Sequence, residues 1–344
     1  MITLADLKQK ENHTYVIAEV AQSHDGSIGL AHSFIDEISR CGADAVKFQT
    51  HFADEESTYD EPWRVKFSHQ DKTRFDYWRR MEFSREEWFE LASHAQAKGL
   101  DFLSSPFSNA AVELLREIGQ KFWKVGSGEI YNEPLIRDII QDEIPILFSS
   151  GMSSIKDLEE VINLAKEKNK KFAILQCTSM YPCPPEYWGI ENILELKSKF
   201  NCPVGYSDHS GSIFPSIAAR TLGASFIEVH VTFSKSMFGP DVSSSIDFNE
   251  LKNLIRGIRM LDESFENSKQ KDQNITQSKS ILKNFSRSVA LKKDLPKGAK
   301  ITLDDLTMKK PGGGFTYSKM KNIIGKRLKH DKSKRRILSK EDFE

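Results

Sequence analysis

The most constraining feature of this chain is a repeat: short apolar runs alternate with amphipathic segments about eight times over roughly 250 residues. The runs fall at 15–21, 45–48, 101–103, 122–125, 144–148, 172–175, 204–206 and 226–229. Each is brief and rich in apolar or β-branched residues, as expected of strands buried on both faces. Helical patterns lie between them, at 29–41, 85–98, 109–118, 133–140, 154–168, 190–200 and 212–222, and a last one follows at 249–265. Ser84 before Arg85–Glu87, and Ser153 or Ser154 before Asp157, read as helix starts. Gly99 and Gly223 read as stops. About eight strand–helix units is the arithmetic of a (β/α)₈ TIM barrel in the α/β class. A doubly wound open sheet needs fewer units, and no GxGxxG follows the first run.

In such a barrel the site forms at the carboxyl ends of the strands. The stretch 203–232 places His209 and His230 at the ends of neighbouring strands, where two imidazoles can hold a divalent metal and leave positions open for substrate. The other strand ends are also polar. The first carries Glu19, Gln22, Ser23 and His24, the second Lys47 and Gln49, and the third Ser104 and Ser105. The fourth carries Lys124 and then Ser127 and Glu129; Ser149, Ser150, Gln176, Thr178, Ser179, Tyr181, Ser207, Asp208 and Glu228 complete the set. Two lysines on barrel strands are costly to bury without an anion. With the serines and the Gly126–Gly128 backbone they make a seat for phosphate or carboxylate. The plainer alternative is a structural pair of Lys47 or Lys124 with Glu19 or Glu129.

An apolar fraction of 39% and a mean hydropathy of −0.48 fit a soluble protein with a real core. No run is long enough for a membrane helix, and the polar N-terminal stretch lacks the apolar centre of a signal peptide. Four cysteines without CxxC spacing indicate reduced thiols and a cytoplasmic setting. From Arg287 onward about 17 Lys/Arg stand against about 7 Asp/Glu, so this end is basic and the rest acidic. The charges are dispersed among apolar residues. That favours docking on an acidic partner subunit, or closure over an anionic substrate, rather than nucleic-acid binding. Residues 50–83, with Trp63, Tyr77 and Trp78, are expected to form a loop over the barrel mouth. The domains read as a barrel at 1–268, a polar linker at 269–284 and a small β-rich module at 285–344.

Taken in order, IAEVAQSHDG, DAVKFQT, SSPFS, KVGSGE, SSGM, LQCTSMYPCPPE, GYSDHS, EVHVT, GPDVSSS and SRSVALKKDLPKGAKITLDDL resemble the sialic acid synthase family. The resemblance runs from about Tyr15 to the end of the chain. It implies a TIM barrel followed by an antifreeze-like (SAF) domain. The implied reaction condenses phosphoenolpyruvate with an open-chain N-acyl hexosamine, such as N-acetylmannosamine, and releases phosphate. By the same matching, His209 and His230 bind Mn²⁺ or Mg²⁺. Lys47, Ser105, Lys124, Ser127, Ser179 and Ser207 hold phosphoenolpyruvate, and Glu19 is the acid/base. Gln49, Glu129, Tyr181 and Asp241 orient the sugar. Lys310 meets its acyl group from the partner chain of a domain-swapped homodimer. The chain departs from the family pattern at Ser23, at Val229, where a basic residue is usual, and at Lys310, where arginine is usual. A phosphoenolpyruvate-dependent synthase or metal aldolase acting on another aldose, and an inactive carbohydrate-binding barrel, are the alternative readings.

Overall fold

The computed structural model describes residues 13–267 and 279–344. The chain divides into two compact units, Met1–Glu266 and Asn267–Glu344.

The first unit is the expected barrel. Its strands are β1 Tyr15–Glu19, β2 Ala45–Thr50, β3 Asp101–Pro106, β4 Trp123–Val125, β5 Ile146–Ser149, β6 Phe172–Cys177, β7 Val204–Asp208 and β8 Phe226–Thr232. They pair in parallel in the order β3-β2-β1-β8-β7-β6-β5-β4, nearly closing the ring. The principal crossover helices are α1 Ile28–Cys41, α4 Arg85–Ala97, α5 Asn109–Ile118, α6 Glu133–Ile139, α7 Ile155–Glu167, α8 Asn192–Phe200 and α9 Phe214–Thr221. A two-residue strand β9, Ile246–Asp247, pairs with the end of β8, and α10, Phe248–Glu266, follows it. The capping signals hold: Ser84 with Glu87 and Ser154 with Asp157 form reciprocal boxes at the starts of α4 and α7. Residues 50–83 are not wholly loop. They contain α2, Ala53–Glu56, and α3, Arg74–Met81. An apolar cluster of Ala53, Tyr77, Trp78 and Met81, flanked by Trp63, Phe67 and Phe75, is what lets so polar a stretch fold.

The two-residue period of a strand positions everything that follows. Val16, Ala18, Val46 and Phe48 face outward and join the main core beneath the helices. Tyr15, Ile17, Ala45, Leu103, Phe122, Leu147, Leu175 and Phe226 form a second, inner cluster. Each strand then places its next inward residue one step nearer the carboxyl end, above that apolar plug. Gly205 is required on β7, because a Cβ there would lie 2.5 Å from Leu175 Cδ2 and 2.6 Å from Phe226 Cβ.

In the second unit the linker expected at 269–284 lies outside the described residues as far as 278. Helix α11, Lys279–Phe285, then leads into β10, Ser288–Leu291, which is antiparallel to β11, Leu306–Lys309. Val289, Leu291, Ile301, Leu306, Ile323, Leu328 and Leu338 supply its separate core. Among the described residues no helix is long and apolar enough to cross a membrane.

Candidate active site

Above the inner plug, at the carboxyl ends of the strands, lies a cavity of about 720 Å³. Thirteen residues singled out from the sequence line it: Glu19, Lys47, Gln49, Ser105, Lys124, Ser127, Glu129, Ser179, Tyr181, Ser207, His209, His230 and Asp241. Lys310 does not; it belongs to the second unit, with its Nζ 5.1 Å from the Phe285 ring centre.

The floor is a network of ion pairs and hydroxyls. Lys47 Nζ lies 2.5 Å from Glu19 Oε2 and donates to Ser105 Oγ at 3.2 Å. Lys124 Nζ donates to Ser149 Oγ at 2.9 Å and lies 3.2 Å from Glu228 Oε1. Glu228 also accepts from Ser207 Oγ at 3.0 Å and stands 3.9 Å from Lys47 Nζ. Both lysines are therefore paired, as the plainer sequence reading allowed, but Lys124 pairs with Glu228. Glu129 instead lies on a turn beyond β4, where Asn132 Nδ2 donates to it at 2.8 Å. Glu228 carried no assigned role in the sequence reading. Its position two before His230 on β8 puts the two side chains on one face, and that spacing was the available signal.

The same alternation removes residues from the site. Ser104 turns outward to Thr50, and Asp208 turns outward to Ser216. His24 packs against Phe83, at 4.6 Å between ring centres. Val229 joins the outer core. This position, where a basic residue is usual in the family pattern, therefore lies outside the cavity lining.

Burial, opposed by Lys47 and aided by the Glu228 charge, pushes the Glu19 carboxyl up to about 7. Glu228 goes the other way, to about 2: burial disfavours its charge, but Lys124 and Lys47 outweigh that penalty. Of the two carboxylates on one floor, Glu19 is poised to exchange a proton near neutral pH and Glu228 is fixed as an anion.

Just beyond Ser207 and Glu228, at the carboxyl ends of β7 and β8, the His209 and His230 rings stand 5.3 Å apart, centre to centre. Burial, with His230 beside it, pushes His209 down to about 3. Burial and the two lysines lower His230 to about 3 despite the Glu228 charge. Both are therefore neutral imidazoles, the form that ligates metal. His209 Nδ1 donates to the Thr178 carbonyl at 2.8 Å, leaving Nε2 to accept from Tyr181 Oη at 3.2 Å. His230 Nδ1 is buried without a hydrogen-bond partner among the described residues. An orphaned nitrogen beside a second oriented imidazole fits a divalent cation. Among the described residues no group of three or more His, Cys, Asp or Glu converges as ligands, so other donors would come from substrate or water.

These features define an α/β-barrel protein whose cavity brings together two ion-paired lysines, a carboxyl raised to about 7 and two neighbouring imidazoles. The chain belongs to the NeuB family, whose model matches residues 34–270; a SAF domain matches 286–344. It is 35% identical over 320 residues to the N-acetylneuraminate-9-phosphate synthase of Mus musculus, covering 91% of this chain and 88% of that protein. It is 34% identical over 322 residues to the N,N'-diacetyllegionaminic acid synthase of Campylobacter jejuni, covering 91% and 95%. Its structure matches that of the N-acetylneuraminic acid synthetase of Leptospira borgpetersenii in complex with citrate. That match has a TM-score of 0.69 and 28% identity over 78% of this chain and 92% of that one.

Proposed function

We propose that this chain is a nonulosonic acid synthase that condenses phosphoenolpyruvate with an open-chain N-acyl hexosamine and releases inorganic phosphate. One observation carries the reading: two ammonium groups, four serine hydroxyls, a carboxyl poised near 7 and two neutral imidazoles line a single cavity. The named relatives support it.

Lys47 and Lys124, with Ser105, Ser127, Ser179 and Ser207, hold the phosphate and carboxylate of phosphoenolpyruvate. Ser127 and Ser179 already touch, Oγ to Oγ at 3.0 Å. Gly151 keeps that corner open, since a Cβ there would stand 2.3 Å from Ser179 Oγ. Carbon 3 of phosphoenolpyruvate forms the new bond to the aldehyde carbon, whose oxygen takes up a proton. Water then adds to carbon 2, and phosphate leaves with the electrons of its bond to that carbon, giving the 2-keto acid. Glu19 exchanges the protons, and Gln49, whose Nε2 donates to Glu19 Oε1 at 2.8 Å, orients it. Held by His209 and His230, manganese or magnesium would supply a Lewis acid for the aldehyde oxygen. Gln49, Glu129, Tyr181 and Asp241 orient the sugar. In this reading the second unit serves the cavity of a partner protomer in a homodimer, where Lys310 meets the acyl group. The basic end of the chain against its acidic remainder is compatible with such docking.

The test is phosphate release from phosphoenolpyruvate with a panel of 2-acylamido sugars. Release that needs an acylated sugar, stops with EDTA and returns with Mn²⁺ is expected. Release only with simple aldoses, or sugar binding without turnover, would overturn the reading. The relatives' names include both a 9-phosphate and an unphosphorylated product, so they leave open whether the acceptor carries phosphate.

A further inference from the structure

The cavity changes character between floor and rim. The rim, built from the 50–83 segment and the turns after β4 and β8, contributes five carboxylates: Glu55, Glu56, Glu61, Glu129 and Asp241. It contributes two guanidinium groups, and each is already matched. Arg64 Nη2 bonds Asp241 Oδ1 at 2.7 Å, and Arg74 Nε lies 3.0 Å from Glu61 Oε1. Setting two cations against five carboxylates leaves Glu55, Glu56 and Glu129 without a guanidinium partner. Burial, with a smaller contribution from the Glu56 charge, raises the Glu129 carboxyl.

One rim oxygen also lacks a donor. Glu56 Oε1 is taken by His51 Nδ1 at 2.6 Å, but Oε2 is buried with no hydrogen-bond partner among the described residues. A buried carboxylate oxygen of this kind asks for a hydroxyl or N–H donor. Trp63, Phe67, Trp78 and Phe107 also line the cavity, and Trp78 and Phe107 stack on the His51 ring that bonds Glu56.

Taking the proposed function as given, we infer that the acceptor enters without a phosphate, as an uncharged polyhydroxylated acylamino sugar. Its hydroxyls donate to the rim carboxylates, Glu56 Oε2 first among them. A phosphate ester would bring a charge of about −1.5 to −2 among unmatched carboxylates and has no proton to give them. Two lysines lie on the floor, already ion-paired and reserved for the phosphoenolpyruvate end, and Lys310 of a partner protomer is assigned to the acyl group.

The experiment uses the full chain with Mn²⁺ and phosphoenolpyruvate, offering N-acetylmannosamine and other 2-acylamido sugars beside their 6-phosphates. The kcat/KM for phosphate release is measured in dilute buffer and again in about 0.5 M KCl. The uncharged sugar is expected to win by about 100-fold in dilute buffer, within the range by which charge fields alter encounter rates. Added salt is expected to narrow the ratio several-fold as the charges are screened. Glu55→Lys, at an exposed position, should narrow it by about tenfold toward the phosphate form, with Glu55→Gln between. Equal or better turnover of a 6-phosphate overturns the inference while leaving the proposed function standing. Discrimination that ignores both salt and Glu55 overturns its electrostatic basis in favour of shape. Turnover with neither form overturns the proposed function, and the inference falls with it.

Discussion

Lys47 and Lys124 at the cavity floor are 2% and 3% exposed, and each shares its charge with a carboxylate and a serine. Arg64 at the rim also pairs with a carboxylate, but its side chain is 39% exposed and lies 4.3 Å from the centre of the Tyr181 ring. The same kind of contact therefore has two physical meanings. At the floor the buried groups compensate one another for lost water, so removing one leaves a buried charge under-paired. At the rim water takes over, and the pair is worth at most about 1 kcal/mol to the fold. What the rim pair holds is the position of donors and acceptors around a ligand.

The largest expected effect tests the floor's companion wall. His230→Ala should lower turnover by at least about a thousandfold, because it removes one of two imidazoles available to the metal. Its melting temperature should stay near wild type, because Nδ1 makes no hydrogen bond to lose. Near-normal kcat would break the metal assignment.

Glu228→Gln should cost about 3 kcal/mol of stability at neutral pH, since it strands Lys124 and half-strands Lys47. The sign with pH follows from its depressed carboxyl. Such a group stabilises the fold above its unfolded value near 4, and that contribution fades as pH falls toward about 2. The gap between wild type and variant in denaturant unfolding should therefore close in acid; a gap that widened there would invert the assignment. Phosphoenolpyruvate worsens the floor's charge balance less in the variant, so it should raise the variant's melting temperature more than the wild type's.

The smallest effect is at the rim. Arg64→Ala should change stability by less than about 1 kcal/mol while raising the sugar KM several-fold and sparing the phosphoenolpyruvate KM. A large loss of stability would show that the rim pair behaves like the floor. Lys310→Ala is expected to show the same kinetic split, and a selective rise in the phosphoenolpyruvate KM would remove Lys310 from the sugar side.

The barrel was legible because its signal is local. Runs such as 172–175 and helices such as 109–118 declare themselves through period, caps and stops, and the residue after each strand is fixed to one end of a barrel by chain direction alone. Twelve of these cavity residues were named at strand ends in this way; Asp241, beyond β8, came only from the family resemblance. The helices within 50–83 were not legible, because that segment orders itself around Tyr77, Trp78 and Met81, an apolar cluster with no long periodic run.

The sequence by itself determined the repeating strands and helices of the barrel, which of their ends carries the chemistry, and which ionisable residues are brought there. Tertiary structure alone decided how those residues share their charge. It turned Val229 outward and Glu228 inward, set Lys124 against Glu228 rather than Glu129, and shifted the Glu19 carboxyl up and the Glu228 carboxyl down. The reason is that pattern within a strand is a property of neighbours in the chain. Desolvation and Coulomb energy depend on distances between residues far apart in sequence, and only the closed barrel sets those.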